Sequence, residues 1–201
     1  MEKYKTIMID PPWPERGGGK IKRGADRHYA LMKIPEIIDY LKEEVEPVIA
    51  DDAHLYLWTT NNYLVDALKI VEELGFRYIT LITWMKDRMG LGQYYRGLTE
   101  HCIFAVRGRL PYRTHNGKRA QGKTGFIEPK REHSRKPEQM YEWAEIVSYK
   151  PRLEVFARYA RPGWDAIGLE APNSKQTNIR EFIETRKKGN RWWRDNFQKK
   201  M

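Results

Sequence analysis

Cysteine is almost missing: Cys102 is the one thiol among 201 residues. A lone cysteine excludes an internal disulfide and any zinc site built from cysteines, and it fits a reducing compartment. Long apolar runs are missing too. None approaches the roughly 20 residues that cross a bilayer, and Met1-Glu2-Lys3-Tyr4 has neither the apolar stretch nor the cleavage site of a secretory signal. A soluble, cytoplasmic protein with no membrane partner is expected. The histidines, His28, His54, His101, His115 and His133, show no metal-ligand spacing, so no metal is expected. There is no internal repeat and no low-complexity tract, and the length suits one core rather than two.

Negative charge is the scarcer sign. Against 37 Lys and Arg stand 27 Asp and Glu, a net charge of +10 that favours polyanionic partners through counterion release and steering. The basic residues crowd into 16–27, 107–136 and 186–200, while 36–73 is net acidic, so the field is one-sided. That distribution favours nucleic acid over the alternative of an ordinary basic protein.

Apolar patterning alternates between strand and helix. Residues 4–9 read as a strand stopped at Asp10 by Pro11 and Pro12, which lack N–H donors. Residues 35–45 have helical spacing with Pro35 in the first turn. Residues 54–60 read as a buried strand, after which Asn61-Asn62 caps a helix through Leu64, Val65, Leu68 and Val71 that Gly75 ends. Strands follow at 78–84 and 100–106, then a helix at 137–148, strands at 152–158 and 164–169, and a polar helix at 174–188. The run 107–136 shows no apolar period and reads as a long functional or disordered loop. This order predicts an α/β domain over 1–172, with a mostly parallel sheet, helices on both faces and ligands at the strands' carboxyl ends, followed by a basic tail over 173–201.

Asp10-Pro11-Pro12-Trp13 carries the most specific chemistry. An exocyclic aromatic amine is a weak nucleophile because its lone pair is delocalised into the ring. Two acceptors for its two hydrogens draw the nitrogen toward tetrahedral geometry and aim the lone pair. The Asp10 carboxylate and the Pro11 carbonyl supply such a pair, with the carbonyl direction preset by the two prolines. Trp13 offers a face for an extruded base. Taken alone, Asp-Pro-Pro is equally good turn chemistry. Its position after a buried strand and before the basic segment Gly17–His28 favours the catalytic reading.

With this tetrapeptide, the segments 55–59 (LYLWT), 82–86 (ITWMK), 100–102 (EHC), 134–138 (SRKPE) and 153–158 (LEVFAR) resemble, in order and spacing, the MT-A70-like adenine-N6 methyltransferases. The similarity covers nearly all of 4–171. The resemblance implies a Rossmann-like fold, S-adenosyl-L-methionine as cofactor, and catalysis by Asp10, Pro11, Pro12 and Trp13. It also places cofactor contacts at Asp10, Lys136, Glu154, Phe156, Arg158 and Glu170. Two departures stand out. Leu169 replaces an asparagine that relatives often carry after the last strand's glycine, and the upstream acidic segment of larger relatives is absent.

Nucleic-acid contacts are expected from Arg16, Lys20, Lys22, Arg23, Lys86, Arg113, Lys118 and Arg119, with solvated charge as the alternative for each. The loops 14–29 and 87–98 read as gates. Tyr94-Tyr95-Arg96 mixes aromatic and cationic character as a nucleic-acid surface would, or else packs on the sheet. Trp192-Trp193 is read as packing the tail. Gly122-Lys123-Thr124 fails as a phosphate-binding loop, since the required first glycine is displaced and no strand precedes it. The expected function is therefore adenine-N6 methylation of nucleic acid, with DNA favoured over RNA, directly from sulfur to nitrogen. A homodimer or partner subunit is compatible with it. An RNA enzyme, a cytosine-N4 enzyme and a silent nucleic-acid-binding subunit are the alternatives.

Overall fold

The computed structural model describes residues 2–14, 31–90, 92, 94–131 and 135–168. Arg16, Lys20, Lys22, Arg23, Glu170 and the tail 173–201 with Trp192 and Trp193 lie outside the described residues.

β1 (Tyr4–Ile9) stops where the sequence predicts, just before Asp10. α1 (Ile34–Tyr40) has Pro35 in its first turn and runs on through a π turn and a 3-10 turn to Val48. β2 (Ile49–Thr59) begins five residues before the expected start. Asn61 and Asn62 do not cap α2 (Leu64–Glu73). They open a 3-10 turn, Asn61–Tyr63, and the Asn61 side-chain oxygen accepts a hydrogen bond from the His101 ring at 2.7 Å. Gly75 closes α2 with φ at +69°, a conformation that a side chain disfavours.

β3 (Arg77–Met85) and β4 (Thr99–Arg107) follow. The run 107–136 is not structureless: it forms a small hairpin, β5 (Thr114–His115) with β6 (Lys118–Arg119), and β7 (Gly125–Ile127), which joins the main sheet. Strands of two or three residues are too short to show a period in sequence. α3 (Glu138–Val147), β8 (Arg152–Val155) and β9 (Asp165–Ile167) are the last elements among the described residues.

The seven-stranded sheet has the order β7-β3-β4-β2-β1-β8-β9. β1 runs parallel to β2 and β8, β8 to β9, and β3 to β7, whereas β4 is antiparallel to both its neighbours. The parallel strands therefore deliver their carboxyl ends to one rim, and β4 delivers its first residues to the same rim. Alternation sends Ile7, Ile9, Leu55 and Leu57 against α1 and α2 on one face. Met8, Tyr56 and Trp58 pack with Met140, Tyr141 and Ala144 of α3 on the other. Each fully buried aliphatic side chain contributes about 1.5–3 kcal/mol, so both faces hold the sheet rigid beneath the rim.

Candidate active site

Asp10 leaves the end of β1, and its N–H donates to the Val155 carbonyl of β8 at 3.4 Å. Its carboxylate meets Lys136 Nζ at 2.8 Å and lies 4.0 Å from the Arg158 guanidinium. Lys136 also reaches Glu100, at the start of β4, at 3.3 Å, and its ammonium stands over the Trp58 ring. Glu100 in turn pairs with Lys86, just past β3. Five charges from five segments thus form one chain along the rim, Lys86–Glu100–Lys136–Asp10–Arg158.

Burial opposes these charges, but their mutual attraction wins. For Glu100, desolvation works to raise the pKa, yet Lys136 and Lys86 outweigh it and hold the carboxyl at about 2. For Lys136, burial works to lower the pKa, and Asp10 and Glu100 overcome it, pushing the ammonium above the usual lysine range. Glu100 and Lys136 are therefore both held in their charged forms.

Asp10 and Lys136 open into a cleft of ≈ 170 Å³ whose other walls include Tyr141, Glu154, Phe156 and Arg158. Glu154 points there from β8 and accepts a hydrogen bond from Tyr141 at 2.7 Å. Burial raises the Glu154 pKa, partly offset by the Tyr141 hydrogen bond. Phe156 has φ at +62°, a costly conformation for an aromatic residue that ends β8 and turns the chain into the cleft wall. Arg161 crosses back to Glu138 at the start of α3 at 2.6 Å and lies over the Tyr141 ring. Cations beside a carboxylate and an aromatic wall suit a ligand with its own carboxylate, amine and hydroxyls.

The structure gathers Asp10, Lys136, Glu154, Phe156 and Arg158 around one cleft. The Pro-Pro backbone is tightly turned: Trp13 N–H donates to the Pro11 carbonyl at 2.8 Å, and Met32 N–H to the Pro12 carbonyl at 3.0 Å. Trp13 is 6 % exposed, stacks on Tyr63 at 5.3 Å and donates its indole N–H to the Trp58 carbonyl. It is a packed wall beneath the turn, with one face already taken.

Among the expected nucleic-acid contacts, Lys86 is committed to Glu100. Arg113 donates to the Glu145 and Ser148 carbonyls, at the end of α3 away from the rim. Lys118 and Arg119 are exposed on the β5–β6 hairpin, with Arg119 lying on the Tyr112 ring. Glu100, named in the sequence only as part of a motif, is a site residue that sequence reasoning passed over, as are Tyr141 and Arg161 of the cleft lining. The signal for Glu100 was a carboxylate between two lysine-bearing motifs, but the antiparallel direction of β4 that brings it to the rim is not legible in the sequence. Cys102, two residues on, is buried, and burial raises its thiol pKa, so it offers no thiolate nucleophile.

An open, mostly parallel sheet with a charged cleft at the strands' carboxyl ends defines a Rossmann-like α/β enzyme. The MT-A70 family model matches residues 4–170, and the chain belongs to that family. It is 28% identical over 195 residues to the type II methyltransferase M.MunI of Mycoplasma sp., covering 87% of this chain and 80% of that protein. It is 28% identical to a probable N(6)-adenosine-methyltransferase MT-A70-like protein of Oryza sativa subsp. japonica, over 82% of this chain and 22% of the relative. With the human N(6)-adenosine-methyltransferase catalytic subunit METTL3 the identity is 26%, over 83% of this chain and 28% of the relative. The chain therefore spans four-fifths of the first protein and about a quarter of the other two. Among the described residues no helix is long and apolar enough to cross a membrane.

Proposed function

We propose that this protein transfers a methyl group from S-adenosyl-L-methionine to the N6 amine of adenine in nucleic acid, with DNA favoured over RNA. The observation that carries the reading is the placement of Asp10, in its Asp-Pro-Pro-Trp turn, between Lys136 and the cleft walled by Glu154, Phe156 and Arg158. When bound, the cofactor supplies an electrophilic sulfonium methyl. Lys136 and Arg158 would hold its carboxylate, and Glu154 its amine or ribose hydroxyls.

Asp10 has two oxygens. Oδ1 takes the Lys136 ammonium, and Oδ2, with the Arg158 guanidinium 4.0 Å away, keeps lone-pair capacity to accept a hydrogen bond from N6. The Pro11 carbonyl has spent one lone pair on Trp13 N–H and keeps a second for the other N6 hydrogen. With both hydrogens held, the nitrogen lone pair is turned out of conjugation toward the methyl group. Transfer of that methyl group to nitrogen would leave the cofactor's sulfur as a neutral thioether, and Asp10 is placed to take the proton the nitrogen would shed. No covalent enzyme intermediate is required.

The preference for DNA rests on similarity: the relative matched over most of both chains is a type II methyltransferase. The test is incubation with the cofactor and matched single-stranded DNA, duplex DNA and RNA, followed by digestion and nucleoside analysis. N6-methyl-2′-deoxyadenosine is expected. N6-methyladenosine from RNA alone would reverse the polymer, and N4-methylcytosine or no product would overturn the reading.

A further inference from the structure

The loop between β3 and β4 leaves the same rim as Asp10, and its base is fastened on every side. Lys86 N–H donates to the Leu98 carbonyl at 2.9 Å and Gly90 N–H to the Gly97 carbonyl at 2.6 Å, while the Arg96 guanidinium donates to the Gly90 carbonyl. The Lys86–Glu100 pair closes the stem, and Asp87 accepts the Lys130 N–H from the neighbouring segment. At the tip the backbone folds so closely that a Cβ on Gly92 would lie 2.0 Å from the Tyr95 carbonyl oxygen. With no room inside the tip, Tyr94 and Tyr95 are turned outward and are each 92 % exposed. Packing on the sheet, the alternative the sequence allowed, does not occur.

Two bare tyrosines side by side cost solubility and gain nothing from the core. They stand between Arg88, itself 84 % exposed, and Arg96, on a protein of net charge +10. Adjacent aromatic faces flanked by guanidinium groups match a strand of nucleotides, whose bases offer flat faces and whose phosphates offer charge. In a duplex those base faces are already stacked on one another, and only edges and phosphates are open. We propose that the Tyr94–Tyr95 tip is a stacking surface for unpaired bases flanking the target adenine, so that the enzyme's substrate is a single-stranded or melted segment. This rests on the reading that the protein methylates nucleic acid.

The test is fluorescence anisotropy with a labelled adenine-containing single strand and the same sequence as a duplex. Wild type, a Tyr94→Ala/Tyr95→Ala variant and a Tyr94→Phe/Tyr95→Phe variant are compared, with cofactor binding measured for each. The wild type should bind the single strand at least about tenfold more tightly. The alanine variant should lose roughly fivefold or more per tyrosine on the single strand, with phenylalanine restoring it and cofactor affinity unchanged. Equal or tighter duplex binding by wild type, or an alanine variant that binds the single strand as wild type does, overturns the stacking surface. If that occurs while N6-methyladenine is still formed, the stacking surface alone falls. If wild type binds cofactor yet neither binds nor methylates any nucleic acid, the methyltransferase reading falls with it.

Discussion

Two polar clusters sit at different depths of the same sheet, one at its rim and one beneath it, and they are built on opposite protonation logic. At the carboxyl-end rim, Lys86, Glu100, Lys136, Asp10 and Arg158 are linked by ion pairs, and pairing outweighs burial for Glu100 and Lys136. Three to five strand residues down β2, or roughly 10–17 Å, Tyr56 and His54 both hydrogen-bond the Ser148 hydroxyl at 2.8 Å. There burial wins: it lowers the His54 pKa to about 4 and raises that of Tyr56. The far cluster stays neutral and is sealed, with Ser148 fully buried. Buried polarity alone therefore does not mark a functional site. Charge held against desolvation beside an open cleft does.

The largest effect should come from breaking the rim's charge balance. Glu100→Ala leaves Lys86 and Lys136 with one carboxylate fewer in a buried setting, and urea titration should show a loss of about 3–5 kcal/mol. A loss below about 1 kcal/mol would mean that the rim charges are solvated and the contrast is false.

Next comes acid. Unfolded His54 titrates near its ordinary 6.5 and the folded residue near 4. Between those values the unfolded chain binds more protons, so stability rises with pH and is lost as pH falls through that window, by about 3 kcal/mol at most. His54→Asn should flatten most of this decline. Glu100 acts lower: its stabilisation is present above its unfolded value near 4.5 and is lost as pH falls toward about 2. Two separate acid windows, each removed by its own variant, would sharpen the comparison. The smallest effect is Tyr56→Phe, which removes one of the two hydrogen bonds to Ser148. It should cost about 1 kcal/mol in thermal or urea unfolding and leave methylation unchanged.

The sequence was most legible where chemistry and secondary structure coincide. Asp10 follows a buried strand and precedes two prolines, and Glu154 and Arg158 flank a strand end, so their convergence follows from parallel topology. Glu100 was passed over because strand direction is set by tertiary pairing that no local pattern records. Lys86 and Arg113 read as free cations because a basic residue carries no mark of the carboxylate or carbonyls it folds against. Trp13 was expected to present a face, but Tyr63, fifty residues on, covers one side of it. β7 escaped because three residues cannot display a period.

The most direct test of the central claim is Asp10→Ala, assayed with labelled S-adenosylmethionine and an adenine-containing oligonucleotide beside a measurement of cofactor binding. N6-methyladenine formation should fall by at least about 10²–10³-fold while the protein stays folded, because the acceptor that turns the amine is gone. Product formed at close to the wild-type rate would contradict that claim, since the cleft would then be working without the residue around which the whole rim is arranged.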